Sequence, residues 1–280
     1  MKRKLVIHIG LRKTGSSALQ EIVARESNFL LEYGIHYPDR IIGFPAHQEL
    51  AWSLMSPPPP YFNEELPRDE VFDHYCTVID ANSEKGLTTV LSSEDFSLLT
   101  FNYEALEYLK SRLAQYEPLV VFFARNPISY HISNYKHSLI SRRETRAFVD
   151  YVFDVEELLF ASSPIIQNIW AGIFGSDRIL VLKYDPSTFQ KKSIFAYFLE
   201  KVFDLEIEDH YKNFRSNTGI PNEAVDFVRA LNRSEINDDE LKEAKGAVSR
   251  IGLPTDDEAF LVGQLSPEEL AILRKLHGAS

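Results

Sequence analysis

The chain has 280 residues, of which 44% are hydrophobic, and a formal net charge of −11. This is enough for one large α/β domain with a substantial core. Proteins that bind nucleic acids or anionic membranes concentrate positive charge, so the acidic balance argues against both classes of partner. Because Cys76 is the single cysteine, the chain cannot form an internal disulfide or a thiolate metal cluster.

We expect no signal peptide in the N-terminal segment. Its apolar run is too short for a signal peptide, since polar residues interrupt it from Arg12 onward. No stretch has the roughly 20 apolar residues that a membrane-spanning helix needs. We therefore expect a cytoplasmic protein in a reducing compartment. The sequence gives no indication of its oligomeric state.

The first predicted element is a buried strand over residues 5–9, followed by a glycine loop and a helix that opens at Ser16. This arrangement gathers backbone N–H groups and the positive end of a helix dipole, which suits a phosphate. Lys13 adds a positive charge, and hydroxyl groups add further donors. The hydroxyls belong to Thr14, Ser16 and Ser17, and the glycines are Gly10 and Gly15. The sequence therefore predicts a nucleotide-phosphate loop.

Strands and helices alternate along the rest of the chain. Further strands are predicted at residues 35–38, 88–92, 119–124 and 179–183. Helices are predicted at residues 16–33, 47–55, 67–83, 103–116 and 127–140, near Trp170, in a phenylalanine-rich segment after residue 188, and at 221–233, 238–250 and 266–277. The alternation predicts a P-loop-type three-layer α/β fold, with a central parallel sheet flanked by helices and a helical C-terminal appendage. We expect one domain over residues 1–280, with insertions at 39–66 and 141–165 and the helical part at 221–280.

Polar side chains also follow two other predicted strands, at the edge where ligands of parallel sheets bind. Arg125 follows residues 119–124, and Ser133 lies eight residues further on. An arginine fork and a hydroxyl suit a terminal phosphate dianion, although a salt bridge and a surface serine are the simpler alternative. Glu94 follows residues 88–92. It could hold Mg²⁺ in the manner of a Walker B acid, or the segment could cap a helix through Ser92, Ser93 or Asp95.

The order of residues in the first loop departs from a Walker A motif, in which the lysine follows the second glycine. Here Lys13 precedes Gly15 in the order GxxKTGSS. This order, together with Arg125 and Ser133, resembles the sulfotransferases that use 3′-phosphoadenosine-5′-phosphosulfate (PAPS). The resemblance covers roughly residues 4–235. It implies that the first loop holds the 5′-phosphosulfate and that Arg125 and Ser133 hold the 3′-phosphate.

The resemblance also implies roles for residues outside these two motifs. Glu94 stands where the family places its general base, and His47 is a second candidate because some bacterial members carry an early histidine. Tyr184 matches a tyrosine that contacts adenine. Arg12 is a cation where many relatives have an uncharged residue, and it either contacts the phosphosulfate or faces solvent. Arg215 falls where cytosolic members have a basic Arg-Lys-Gly loop, which is absent here.

The activity implied is transfer of a sulfuryl group from PAPS to a hydroxyl or amine, without a metal. A small-molecule or glycan acceptor, such as a carbohydrate or glycoconjugate, is expected, with residues 39–66 and 141–165 as the acceptor walls. Three arginines in the second wall could hold an acidic sugar or form a solvated charged loop. They are Arg142, Arg143 and Arg146. A kinase that uses ATP with Mg²⁺ and a non-catalytic nucleotide-binding module remain the alternatives.

Overall fold

A computed structural model describes residues 5–57, 59, 67–212, 214, 220–249 and 256–278. The chain divides into two compact units, which are treated separately below. Unit 1 comprises Met1–Ala124 and Ile166–Phe214, and unit 2 comprises Arg125–Ile165 and Arg215–Ser280. The expectation of one domain with two acceptor-side insertions stays a prediction.

The strands of the described residues form one five-stranded sheet. They are β1 (Leu5–His8), β2 (Ile35–His36), β3 (Thr88–Ser92), β4 (Leu119–Arg125) and β5 (Ile179–Tyr184). Their spatial order is β2-β3-β1-β4-β5, and β1 pairs in parallel with both β3 and β4. The predicted α/β class with a central parallel sheet is confirmed.

Helices connect the strands and fill the C-terminal part. In chain order, the α-helices of the described residues are α1 (Ser16–Arg25), α2 (Ser27–Glu32), α3 (Gln48–Trp52), α4 (Arg68–Glu84), α5 (Tyr103–Leu113), α6 (Pro127–Ser141), α7 (Phe148–Val152), α8 (Val155–Ala161), α9 (Ser163–Phe174), α10 (Ile194–Phe203), α11 (Val225–Arg233), α12 (Asp238–Ser249), α13 (Asp257–Gln264) and α14 (Pro267–Leu276). Within the part of the chain that is described, none of them combines the length and apolar character needed to cross a bilayer.

The side chains of β1 alternate between the two faces of the sheet, and this alternation builds the three layers. Leu5 and Ile7 enter a core formed with α3, α4, α5 and α9. Val6 enters a second core, formed with α1, α2 and α10. All three side chains are almost completely buried. A strand buried on both faces reads as a continuous apolar run, which is why β1 is visible in the sequence.

The strands β1 and β3 end level, whereas β4 continues to Arg125. His8 is in register with Ser92 of β3 and with Val121 of β4. The segments that leave β1 and β3 therefore start at the same height. This register brings two of the sequence-predicted site segments together within unit 1.

Unit 2 has its own core, formed by α6, α7 and the helices from α11 onward. The predicted start of the last helix is confirmed, since Ser266 and Glu269 form a reciprocal capping box at α14. The predicted helix over residues 16–33 is divided at Glu26 into α1 and α2. The helices α7, α8 and α13 were not predicted, because segments of five to eight residues are too short to show a helical period.

Candidate functional site

The loop between β1 and α1 contains three residues with positive φ. Gly10 has φ 30°, Lys13 has φ 60° and Gly15 has φ 78°. Glycine adopts this region freely, whereas a lysine there costs about 1–2 kcal/mol. A side chain held in such a conformation is constrained by its surroundings, and such strain is concentrated at functional sites. Lys13 is therefore the most distinctive residue of this loop.

Positive φ angles and close neighbours together favour glycine at both ends of the loop. A Cβ atom on Gly10 would lie 2.8 Å from the Ser16 Oγ atom. One on Gly15 would lie 2.8 Å from Ile194 Cδ1 and 3.3 Å from Tyr184 Cε2. Tyr184, the last residue of β5, thus lies directly beside the loop. The sequence predicted Tyr184 as a nucleotide contact but not this proximity.

Two of the predicted hydroxyl donors are engaged inside the loop. Thr14 Oγ1 donates to the Leu11 carbonyl at 2.6 Å, and Ser16 Oγ donates to the same carbonyl at 3.2 Å. Both side chains are buried. In this conformation both hydroxyl hydrogens are therefore used in hydrogen bonds within the loop, not in bonds to a ligand. Arg12, Lys13 and Ser17 are only partly buried.

The first turn of α1 presents its backbone N–H groups without a side-chain cap among the described residues. Gly15 occupies the N-cap position and has no side chain with which to cap the first-turn amides. The first turn also contains no acidic residue, so no carboxylate of the helix itself offsets the positive end of its dipole. These are the features that an anion-binding helix start requires.

The segment after β3 packs against this loop. A Cβ atom on Gly10 would lie 3.0 Å from the Glu94 Cα atom, and the Ser93 N–H donates to the His8 carbonyl at 3.1 Å. Ser93 caps the following 3-10 helix, Glu94–Phe101, by accepting from the Asp95 N–H. Glu94 is partly buried beside the loop. Of the three capping residues that the sequence allowed, Ser93 is thus the one observed in that role.

Asp95 has a structural partner. Its Oδ2 atom accepts a hydrogen bond of 2.6 Å from the indole N–H of Trp52, and both side chains are buried. A charge-assisted bond of this kind anchors α3 to the segment after β3. Of the two adjacent carboxylates, Asp95 is therefore the one that the structure shows bonded to α3.

His47 is completely buried, and both of its ring nitrogens are hydrogen-bonded to the backbone. The Ser92 N–H donates to Nδ1 at 3.1 Å, so the proton is on Nε2, which donates to the Pro38 carbonyl at 3.2 Å. Burial lowers the pKa of His47 to about 3. This histidine is neutral and fixed in one tautomer. Its arrangement favours a structural role over the predicted role as a base.

Ser92 links three elements at the end of β3, and sequence reasoning missed this role. Its hydroxyl accepts from the Gln20 amide of α1 at 3.1 Å and contacts His8 Nδ1 of β1 at 2.8 Å. Gln20 and His8 are both buried. A buried polar side chain on an otherwise apolar helix face was the signal available in the sequence, since such groups need partners. The link holds α1 at a fixed position relative to both strands.

The second predicted phosphate motif begins unit 2. Arg125 is the last residue of β4, and the Asn126 side chain caps α6 by accepting from two N–H groups. Pro127 occupies the first turn of α6, as the sequence predicted. Ser133 lies on α6 and is partly buried. The predicted contact at Arg215 lies outside the described residues.

The three arginines of residues 141–165 have different surroundings. Arg146 bonds to Glu144 and Asp154, and Arg143 bonds to Asp238. Arg142 is exposed at the end of α6. Two of the three therefore form ion pairs within unit 2. Both roles foreseen for the cluster, contact with an acidic sugar and a solvated charged loop, stay predictions.

No protein-family model matches this sequence, and no curated protein matches it significantly. Two solved structures show a distant likeness. A sulfotransferase from Alicyclobacillus acidocaldarius is 13% identical with a TM-score of 0.42, and the match covers 93% of this chain and 99% of that one. The mouse sulfotransferase SULT7A1 complexed with PAP is 14% identical with a TM-score of 0.46, and the match covers 99% of this chain and 83% of that one. At such TM-scores neither likeness supports a conclusion about activity, which depends on the residues of this chain.

Proposed function

We propose that this chain is a sulfotransferase that transfers a sulfuryl group from PAPS to a hydroxyl or amine of a small-molecule or carbohydrate acceptor. The observation that carries the proposal is the loop of unit 1. There, Lys13 is held in a left-handed conformation beside uncapped helix N–H groups, and Glu94 lies next to the same loop. This combines an anion cradle with a carboxylate in one place.

The loop would hold the 5′-phosphosulfate of the donor through charge and backbone amides. Lys13, supported by Arg12 and Ser17, would stabilise the negative charge that develops on the phosphate oxygen as the sulfuryl group departs. The N–H groups at the start of α1 would act in the same way, as preorganised donors that need no rearrangement during the reaction. Thr14 and Ser16 would contribute by shaping the loop, since both donate to the Leu11 carbonyl. Gly15 would keep the backbone close to the phosphate.

Glu94 is our candidate for the general base that removes the proton of the attacking acceptor group. It lies beside the loop, whereas the adjacent Asp95 is bonded to the Trp52 indole. A base must come within hydrogen-bond reach of the acceptor, so proximity to the phosphate loop is the first requirement. His47 is a weaker candidate because both of its ring nitrogens are occupied by backbone groups.

Further donor contacts are proposed from sequence position. Arg125 and Ser133 would bind the 3′-phosphate, because a guanidinium and a hydroxyl can together neutralise and bond a phosphate dianion. Tyr184 would contact the adenine ring, and its proximity to Gly15 supports a position next to the bound nucleotide. None of these proposed contacts uses a metal ligand.

A thermal-shift comparison in metal-free buffer tests the donor. We expect 3′-phosphoadenosine-5′-phosphate to raise the melting temperature, because a ligand at 100 times its Kd adds about 2.7 kcal/mol of stability. ATP should give a smaller shift, since it lacks the 3′-phosphate. Arg125→Ala should abolish the difference between the two nucleotides. Arg274→Ala, which removes an exposed ion pair with Glu258 of unit 2, serves as the matched control.

Two results would contradict the proposal. Stabilisation only by ATP with added Mg²⁺ would indicate a kinase. Absence of a shift with either nucleotide would indicate a module that does not bind nucleotides of this class. If the 3′-phosphorylated nucleotide binds, sulfuryl transfer from PAPS to a panel of carbohydrates and phenols would then identify the acceptor class.

A further inference from the structure

A cavity of about 560 Å³ lies in unit 2, between the C-terminal end of α6 and the facing side of α12. Since α6 has 15 residues, it is about 22 Å long. Arg125 precedes its N-terminal end, so the cavity lies at the opposite end of the helix. Residues proposed to bind the 3′-phosphate therefore take no part in this cavity.

The cavity is lined by more positive than negative charge. Four cationic side chains and one carboxylate, Asp238, face it. The cations are Arg142, Arg143, Lys242 and Lys245. In a chain whose formal net charge is −11, such a local excess of positive charge attracts anions selectively.

Arg143 is fixed in the wall of the cavity. It forms an ion pair with Asp238 at 2.9 Å and donates to the backbone carbonyls of Asn232, Ser234 and Ile236. These bonds connect the segment after α6 with the end of α11, the start of α12 and the residues between them. With four cations and one carboxylate, the lining carries three more positive than negative charges.

Lys245 lies deepest among the four cations. Only 6% of it is exposed, and its Nζ atom donates to the Ile140 carbonyl at 3.1 Å. Burial, together with the nearby Arg143 guanidinium, lowers the pKa of Lys245, and Asp238 opposes this shift. A buried ammonium near a guanidinium is costly to keep charged. An anion in the cavity would stabilise its charged form.

Arg142 and Lys242 lie at the mouth of the cavity and are exposed. Neither forms an ion pair with any residue that the structure describes. Arg142 follows the last residue of α6 and Lys242 lies on α12. Their long side chains can therefore contact a ligand from two sides. Ile140 and Leu241 add apolar surface to the lining, which suits a ligand with a carbon skeleton rather than a bare ion.

We propose that this cavity binds an oxyanion group, such as a sulfate, phosphate or carboxylate, carried on a small polar molecule of sugar size. The volume lies within the range of small-molecule sites, about 300–1,000 Å³. The proposal uses no residue of the phosphate loop and does not depend on the proposed sulfotransferase activity. Three features define the ligand class. They are the net positive charge of the lining, the different depths at which its cations lie, and its partly apolar wall.

Isothermal titration calorimetry on the full chain, at constant ionic strength, tests this site. The probes are glucose 6-sulfate, sodium sulfate and uncharged glucose. We expect saturable binding of glucose 6-sulfate and none of glucose. Lys242→Ala should weaken binding by about fivefold, the upper value for one exposed charge pair, and adding Arg142→Ala should weaken it further. Lys275→Ala, an exposed lysine elsewhere in unit 2, should have no effect.

A second comparison separates this site from the phosphate loop. Lys13→Ala should leave the binding of glucose 6-sulfate unchanged, even where it abolishes nucleotide binding. Tighter binding of the sugar ester than of sodium sulfate would identify the ester as the ligand, and equal affinity would identify the free anion. The proposal would be overturned by absence of saturable binding of both anions. It would equally be overturned by binding that Lys13→Ala removes and the Lys242 and Arg142 variants do not.

Discussion

Gly10 lies directly against Glu94, close enough that a Cβ atom on the glycine would come within 3.0 Å of the Glu94 Cα atom. The contact joins the loop after β1 to the segment after β3, two strands that end in register. A group-transfer reaction needs a cation for the leaving group and a carboxylate for the incoming group. These two adjacent segments carry one of each, Lys13 and Glu94. Their separation is set by the sheet rather than by flexible connections.

Replacement of Gly15 should disrupt the loop. In Gly15→Ala the residue would keep φ 78°, and its Cβ would lie 2.8 Å from Ile194 Cδ1. We expect the free energy of unfolding to fall by about 1–2 kcal/mol from backbone strain alone, together with loss of nucleotide binding. Gly43→Ala is the matched control, because a Cβ there has open space. Chemical denaturation of both variants gives the comparison, and equal stability would show that Gly15 tolerates a side chain.

Removal of the Lys13 ammonium should affect turnover rather than folding. Loss of one preorganised donor to a developing negative charge typically lowers kcat by about 10²–10³. We expect Lys13→Ala to show this reduction with PAPS as donor and a melting temperature close to that of the wild type, since alanine keeps the Cβ atom and with it the same left-handed strain at φ 60°. Lys85→Ala, an exposed lysine after α4, is the control. Near-normal turnover in Lys13→Ala would remove Lys13 from the mechanism.

The adjacent carboxylates Glu94 and Asp95 should respond differently to neutralisation. Glu94→Gln should lower kcat by about 10²–10⁴, the usual contribution of a general base, and leave nucleotide binding intact. Asp95→Asn should instead lower the free energy of unfolding by about 1–3 kcal/mol, because the charge-assisted bond to the Trp52 indole is weakened. Measuring turnover and unfolding for both variants separates the roles. The assignment is wrong if Asp95→Asn is the variant that stays folded and loses turnover.

Acid should destabilise the protein through its buried histidines. Burial lowers the pKa of His8 and of His47 to about 3, and the same cause, with a smaller contribution from His277, lowers that of His131 to about 3. The unfolded chain binds protons below pH 6.5 that the folded chain does not. Stability from these groups is therefore fully present above that pH and is lost as the pH falls toward 3. Each histidine contributes about 1.4 kcal/mol per pH unit to the slope in this window.

Urea denaturation between pH 6 and pH 4 measures this slope. His47→Gln should make it less steep by about one histidine's contribution, even if the variant is less stable at neutral pH. His74→Gln is the control, because His74 is exposed. An unchanged slope in His47→Gln would mean that His47 is protonated in the folded protein.

The sequence was informative wherever the signal was local. Four correctly predicted features each depend on a few neighbouring residues. They are the apolar run of β1, the glycines of the loop, Pro127 at the start of α6 and the Ser266 capping box. Features that depend on local backbone chemistry can be predicted from a single sequence. The central parallel sheet followed from the alternation of such segments.

Roles that depend on distant partners were not predictable. The Trp52–Asp95 bond joins residues 43 positions apart, and Ser92 meets Gln20 across 72 positions. His47 looks like a candidate base in the sequence because its two backbone partners come from other segments. Likewise, no pattern indicates that the Thr14 and Ser16 hydroxyls donate to the Leu11 carbonyl rather than outward.

The closure of the loop by these two hydroxyls has a kinetic consequence. Since Thr14 and Ser16 fix the Leu11 carbonyl, the backbone loses its conformational freedom when the chain folds and not when a ligand arrives. A phosphate that binds here meets a preformed cradle, and preorganisation of this kind increases affinity. Association should then be governed by diffusion and by attraction to Lys13 and Arg12, so its rate should fall as salt is added. Thr14→Val removes one of the two hydrogen bonds to the Leu11 carbonyl. In that variant the rate of association should be limited by closure of the loop and should depend less on salt.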